Sequence, residues 1–232
     1  MKCSIMQPTY LPWCGYFNLI YNSDIFIFLD DAQFSKGSWQ NRNLIINNSK
    51  KKWITISLKK HKLKTNLNKI YLHDLEEWKK DHINLLKQSY YKHPFYECVE
   101  EILNFFLTVK TKILSELNIV LIKFICEKLL IKNKFIQSSH LEVKTQDRTD
   151  KLIDLLENFN VKEYLSPQGS MAYLLEDNFY NKTKINLKFS NYKTREYPQY
   201  SCKNSYHDKL SIIDIIANLG WSGAKDYIID NS

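Results

Sequence analysis

Asp30 and Asp31 stand side by side at the end of an apolar run, Ile25-Phe26-Ile27-Phe28-Leu29. A carboxylate in that position can serve as a general base. Alternatively the pair can hold Mg²⁺, which takes one or two carboxylates together with substrate phosphates. Neighbours on a strand point to opposite faces, so both reach one ligand only if the strand has ended. A few residues on come Gln33 and then Trp39-Gln40-Asn41-Arg42-Asn43. That set joins a stacking ring, amides and a guanidinium. Amides read hydroxyls or base edges, and Arg grips phosphate or carboxylate as a two-pronged fork. The combination suits a sugar or a nucleotide. The plainer reading is a loop satisfied by its own backbone, because amides favour turns.

A third polar stretch lies earlier, Gln7-Pro8-Thr9-Tyr10-Leu11-Pro12-Trp13, followed by Gly15-Tyr16-Phe17. It can place a phosphate on the free N–H groups of a helix behind it, although Pro8 and Pro12 donate no hydrogen bond. The plainer reading is a packing loop with Trp13 and Tyr16 in the core. Cys14 would have its thiol pKa lowered by a helix start, which makes it a candidate nucleophile; inert packing is the alternative. Ser138, Ser139, Lys144, Arg148 and Ser166 complete the polar set. The chain lacks G-x-x-x-x-G-K-[ST], G-x-G-x-x-G, G-x-S-x-G and any Cys/His zinc spacing. No zinc site is therefore expected, and no residue is assigned as a metal ligand.

The elements that must position these residues follow from the apolar pattern. A short strand at 3–7, a helix from 12 or 13 to 21 and a strand over 24–29 make a βαβ opening, and continuous apolar runs suit a parallel sheet. Strands at 44–46 and 53–58 flank a turn at 47–50. A basic loop follows over 59–68, then a strand at 70–72. Residues 75–130 are helical in pattern, with Trp78, His82, Leu85 and Leu86 at helical spacing and Pro94 placed to start the next helix. Further strands are expected at 135–137, up to 165, and at 185–189, with a helix from 149 or 150 to 159 and another over 210–216. The fold class is α/β, a single unit over 1–232 with a mainly parallel Rossmann-like sheet and a helical subdomain at about 75–130. Ligands of such sheets bind beyond the carboxyl ends of the strands. The loops 7–15, 30–43, 138–139 and 166–170 would then share one rim.

The 232 residues are 44% hydrophobic and 14% aromatic, enough for a substantial core. The most apolar run, near 119–126, is interrupted by Lys123 and is far shorter than the ~20 residues a membrane span needs. No signal-peptide pattern opens the chain. Five cysteines without a CxxC pair point to reduced thiols and a cytoplasmic location. The net charge of +8 suggests an anionic partner: nucleic acid, nucleotide, phosphosugar or membrane surface. A merely solvated lysine-rich surface gives the same sum.

Taken together, these stretches resemble the WbqC-like protein family. The motifs are residues 7–13 with 15–17, Leu29-Asp30-Asp31-Ala32-Gln33-Phe34, Ser38-Trp39-Gln40-Asn41-Arg42-Asn43, Ser138-Ser139, and Lys144-Thr145 with Asp147-Arg148. Tyr164-Leu165-Ser166, Tyr197-Pro198-Gln199 and Leu210-Ser211-Ile212-Ile213-Asp214 continue them over the whole chain. One departure is Ser166-Pro167, where a glycine is expected between the two. The resemblance implies a bacterial role in surface-glycan biosynthesis, in O-antigen and lipopolysaccharide. It implies transfer of glycine, or another aminoacyl or acyl group, to the amine of a nucleotide-linked amino sugar. On this expectation Asp30 or Asp31 deprotonates the amine, Arg42 and Lys144 hold the diphosphate, and Trp39 and Tyr16 stack on sugar or base. Gln7, Thr9, Trp13, Gln33, Gln40, Asn41, Asn43, Ser138, Ser139, Arg148 and Ser166 complete the site. The donor is an aminoacyl-tRNA or an acyl thioester on a carrier protein; no cofactor is fixed, with Mg²⁺ one option.

The strand–QPT–P–x–x–G–helix–strand–Asp opening is also similar to nucleotidylyltransferases and class I aminoacyl-tRNA synthetases, without their signature histidines. The alternatives are therefore a nucleotidyl or other ATP-dependent transferase, and a non-catalytic sugar- or RNA-binding accessory protein.

Overall fold

In the computed structural model, which describes residues 1–202 and 205–230, the chain begins with β1 (Lys2–Met6), α1 (Cys14–Tyr21) and β2 (Ile25–Phe28). An antiparallel hairpin follows, β3 (Arg42–Asn47) and β4 (Lys50–Thr55), then α2 (Leu75–Tyr90), α3 (Tyr96–Thr108) and α4 (Leu114–Lys128). The second half holds β5 (Lys134–Gln137), α5 (Arg148–Glu157), β6 (Glu163–Ser166), α6 (Met171–Glu176), α7 (Phe179–Lys182), β7 (Asn186–Phe189) and α8 (Ile212–Ile229). Five strands form one sheet in the order β5-β2-β1-β6-β7, with every pairing parallel. This is a Rossmann-like α/β fold. The chain winds outward from β1 through β2 to β5, then crosses back to β6. The topological switch point thus lies between β1 and β6.

Strand alternation divides the core between the two sheet faces. Cys3 and Ile5 of β1 and Ile25 and Ile27 of β2 pack with Leu152, Leu155 and Leu156 of α5. Phe26 and Phe28 point the other way and join the larger cluster. That cluster also takes in Phe17 of α1, Ile45 and Ile54 of the hairpin, Trp78, Ile102 and Leu117 of the helical stretch, and Ile215 of α8.

Helices α6 and α7 are not among the expected elements, α8 runs past the expected 216 to Ile229, and two strand assignments also differ from the sequence pattern. The hairpin turn is Asn48-Ser49, both left-handed (φ 49° and 58°), so β4 begins at Lys50 and ends before Ile56. A two-residue turn of this kind matches the twist of the flanking strands. Residues 70–72 form no strand. They make single bridges, Leu58 to Leu72 and Tyr71 to Ile113, because their partners come from separate segments.

Helix α8 is interrupted at Gly220 (φ 68°, ψ −178°). The Phe95 ring fills the break, only 2.8 Å from where a Cβ would stand. Gly220→Ala adds both a backbone penalty and an overlap, and we expect it to lower unfolding free energy by about 3 kcal/mol in urea titration. Gly169→Ala, which meets nothing within 4 Å, serves as the control and should change stability by less than about 0.5 kcal/mol.

Candidate functional site

The rim is built around the first loop. Pro8 and Pro12 remove two donors from a segment that keeps all its carbonyls. The missing donors come from elsewhere in the chain. Asn118 of α4, wholly buried, donates through Nδ2 to Pro8 O (3.0 Å) and to Gln40 O (2.8 Å). Asn43 Nδ2 donates to Tyr10 O (3.0 Å) and Leu11 O (2.7 Å). Ser211, the N-cap of α8, donates to Leu11 O (2.9 Å), and Ile212 N donates to Pro12 O (2.8 Å). Tyr16 OH donates to Gln7 O (3.2 Å), and Tyr10 N donates to Trp39 O (2.9 Å). Gln40 Nε2 reaches Gln7 Oε1 (2.5 Å) while its own oxygen accepts from Ser35 N (2.8 Å). Asn41 Nδ2 donates to Ile56 O (3.1 Å). In this arrangement the amides of the second loop bond to the chain itself: Asn43 to backbone of the first loop, Gln40 to the Gln7 side chain and Asn41 to the Ile56 carbonyl.

Beneath the loop runs a buried relay. Trp78 Nε1 donates to Tyr10 OH (3.3 Å), which donates to His82 Nδ1 (2.6 Å). His82 Nε2 then donates to the Thr55 carbonyl (3.1 Å). A carbonyl only accepts, so this chain fits neutral imidazole with the proton on Nε2. Burial holds the His82 pKa down to about 4. On the opposite side, Asp214 is 1% exposed and accepts from Tyr197 OH (2.7 Å) and Tyr90 OH (3.1 Å). Burial pushes its pKa up to about 6.

Two cavities open at the strand ends. The larger, about 450 Å³, is lined by Thr9, Trp13, Trp39 and Asn43, together with Tyr192, Lys193, Thr194 and Lys209. The smaller, about 100 Å³, lies at the switch point between Tyr16 of α1 and Pro167 after β6. Met6, Trp13 and Tyr192 contribute to both. Trp13 meets Tyr192 edge-on at 5.5 Å. Its indole lies across Gly15, where an added Cβ would fall 2.3 Å from the ring. Glycine at this position is what lets the indole cover the start of α1.

Trp39 is 44% exposed and packs at 5.2 Å from Trp53, itself 41% exposed. The Arg42 guanidinium lies 4.1 Å from the Trp53 ring centroid, and its buried Nε has no hydrogen-bond partner among the described residues. A guanidinium held over an indole is preorganised for an anion.

The other candidates lie apart from the crevice lining. Asp30 is 1% exposed, and its carboxylate is met by four donors: Gln137 Nε2 (3.1 Å), Ser139 N (3.0 Å), Ser139 Oγ (2.6 Å) and Ser138 Oγ (3.1 Å), the last sharing its one proton with Asp31. Asp31 takes Ser138 Oγ (2.5 Å) and Lys151 Nζ (2.6 Å). As bonded, the pair ties β2 to β5 and α5. Gln33 is exposed and bridges Asn66 in the backbone. Lys144 Nζ reaches Asp154 (4.0 Å) and Glu157 (3.9 Å). Arg148 pairs with Asp177 (2.7 Å) and Glu176 (2.8 Å). Ser166 is fully buried against Ser170. Cys14 differs from its expectation: burial outweighs the helix start and raises its thiol to about 11. All five cysteines are free and buried. Among the described residues no three His, Cys, Asp or Glu side chains gather as a metal site, and no helix is long and apolar enough to cross a membrane.

The lining residues Tyr192, Lys193, Thr194 and Lys209 are new relative to the sequence reading. The first three follow the carboxyl end of β7, so the rim rule applied to that strand points to them. Lys209 carries only a weak signal, its place just before the Leu210-Ser211 motif.

Sheet order and strand direction define a Rossmann-like α/β protein with cavities opening at the strand ends. The chain belongs to the WbqC-like protein family, whose model matches residues 7–226. It is 29% identical over 230 residues to Uncharacterized protein Rv1507c of Mycobacterium tuberculosis, covering 98% of this chain and 97% of that one. No solved structure matches it.

Asn118→Ala strips Pro8 O and Gln40 O of their shared donor. It should cost about 2–3 kcal/mol in chemical denaturation. The two perturbed groups make opposite contributions to pH dependence. His82 falls from its ordinary 6.5 to about 4, so its contribution is complete above 6.5 and is lost as pH drops toward 4. Asp214 rises from 3.8 to about 6, so its contribution is complete below 3.8 and is lost as pH climbs toward 6. Denaturation at pH 4.5 and pH 7 should therefore show His82→Gln costing less at the lower pH and Asp214→Asn costing less at the higher. Each difference should be on the order of 2 kcal/mol.

Proposed function

We propose that the crevice binds a nucleotide-linked amino sugar and that the chain transfers an aminoacyl or acyl group to its amine, in surface-glycan biosynthesis. One observation carries the reading. A cavity of about 450 Å³ combines two indoles, two threonines and two lysines in its lining. Trp13 and Trp39 offer faces to the C–H side of a pyranose, and Thr9 and Thr194 offer hydroxyls. Lys193 and Lys209 in the lining, with Arg42 on the neighbouring Trp53, supply cations for a diphosphate. Family membership supports the glycan context.

In this mechanism the neutral amine attacks the donor's acyl carbon. A C–N bond forms, and the C–O bond of an aminoacyl ester or the C–S bond of a thioester breaks. The proton shed by the amine ends on the departing oxygen or sulfur. Transfer is direct, since a Cys14 thiol raised to about 11 stays protonated at neutral pH. Asp30 and Asp31 act by fixing the β2–β5 side of the rim. Nucleotidyl transfer has less support, because Trp13 leaves only about 100 Å³ at the start of α1.

A binding role without turnover is favoured by one feature: among the described residues no Asp, Glu or His lines the larger cavity. Incubating the purified chain with UDP- and dTDP-linked amino sugars and with aminoacyl-tRNA or acyl-thioester donors separates the two. Mass spectrometry should detect the N-acylated sugar, with kcat/KM reduced at least about tenfold in Trp39→Ala and in Lys209→Gln. Calorimetric binding of the sugar nucleotide without product selects the binding role. Neither binding nor product would sink both.

A further inference from the structure

The positive charge of this chain is not spread over it. From Ala32 to His73 the sequence holds ten Lys and Arg and no Asp or Glu, a local net charge of +10 against +8 for the whole chain. The other residues therefore sum to −2. Of the nine lysines in this segment, Lys51 alone forms an ion pair among the described residues, with Asp208 at 2.8 Å. Lys59, Lys60, Lys62 and Lys64 crowd one loop and are all exposed. Between the last two stands Leu63, which is 95% exposed; the next most exposed large hydrophobic residue, Leu130, reaches 72%.

The loop is held at its roots. Phe34 N donates to Thr65 O (2.9 Å), Lys59 N to Tyr71 O (2.9 Å), and Leu67 N to Ala32 O (2.8 Å). The buried Phe34 ring meets His61 edge-on at 5.1 Å. Thr65 Oγ1 donates back to Lys62 O (2.7 Å), and Lys64 adopts the left-handed region (φ 62°). Leu63 is thus presented by a braced turn. Nothing in the crevice reading calls for it.

We propose that this loop docks the protein on an anionic phospholipid surface. Leu63 enters the headgroup–acyl boundary, and Lys59, Lys60, Lys62 and Lys64 meet the lipid phosphates. Clustered lysines beside one apolar side chain are the elements of peripheral attachment, since charge attraction alone is weak and screened by salt. Exposed Tyr71 belongs to the same acid-free segment, and such rings favour the membrane–water boundary. Single-stranded RNA is the rival occupant of a basic face. It would use stacking rings and basic side chains, and it would leave an aliphatic tip without a partner. Leu63 decides for the bilayer. This inference stands apart from the crevice reading.

The test is sedimentation of the full chain with phosphatidylcholine vesicles, with and without about one-third phosphatidylglycerol, at low and high salt. Binding should require the anionic lipid and fall with salt. Leu63→Ser should weaken it about tenfold, and replacing Lys59, Lys60, Lys62 and Lys64 by Gln should abolish it, with thermal melting unchanged in both variants. The proposal is overturned by equal binding to neutral vesicles, by no binding, or by full affinity in Leu63→Ser. It is also overturned by binding to tRNA that anionic vesicles do not displace.

Discussion

A backbone that runs short of donors governs the architecture of the rim. Between Met6 and Trp13 the chain has two prolines and carbonyls that turn inward. A buried carbonyl left without a donor costs about 1–3 kcal/mol, so the loop takes this shape only where other segments supply N–H and O–H groups. They come from Leu29 after β2, Asn43 of the hairpin, Asn118 of α4, and Ser211 and Ile212 at the start of α8. Segments distant in sequence are thereby locked to one loop. The same bonds hold Trp13 over Gly15 and bring Trp39 to the crevice. Asp214, four tyrosine and amide partners around it, and the His82–Tyr10 relay stiffen the two sides of that arrangement.

This explains an unusual use of the parallel sheet. In many doubly wound proteins the first loop and helix start cradle a phosphate. Here an indole covers that place, and the larger opening lies toward β7 and the segment behind it. The positive groups at and beside that opening, Lys209 and Arg42, are side chains rather than helix N–H groups. The acid-free segment from 32 to 73 lies between these features and supplies Trp39 to the crevice wall. It also carries Arg42 and the lysine loop.

Much of the scaffold was legible in the sequence. The βαβ opening could be read because residues 24–29 are continuously apolar and end in Asp-Asp, a pattern suited to a strand covered on both faces. The shared rim followed from the rule that ligands bind beyond the carboxyl ends of parallel strands. Residues 70–72 were misread because an apolar triplet looks the same whether it joins a sheet or makes isolated bridges. The crevice walls at 192–194 and 209 went unread because the stretch from 190 to 210 has no periodicity. The amides at 40, 41 and 43 illustrate a deeper limit. Residue type says that an amide bonds, but not whether its partner is a ligand or a neighbouring carbonyl. The two prolines nearby held the clue, since they remove donors while keeping acceptors. Asp30 shows the same ambiguity for a carboxylate, with four donors of its own chain around it.

The most direct measurement of the central claim is a crystal structure of the chain soaked with a UDP-linked amino sugar. The account predicts sugar density between the Trp13 and Trp39 indoles, with the diphosphate toward Lys209 and Arg42 and the first loop unmoved. Density for the phosphates on the N–H groups at the start of α1, with Trp13 swung away from Gly15, would contradict it.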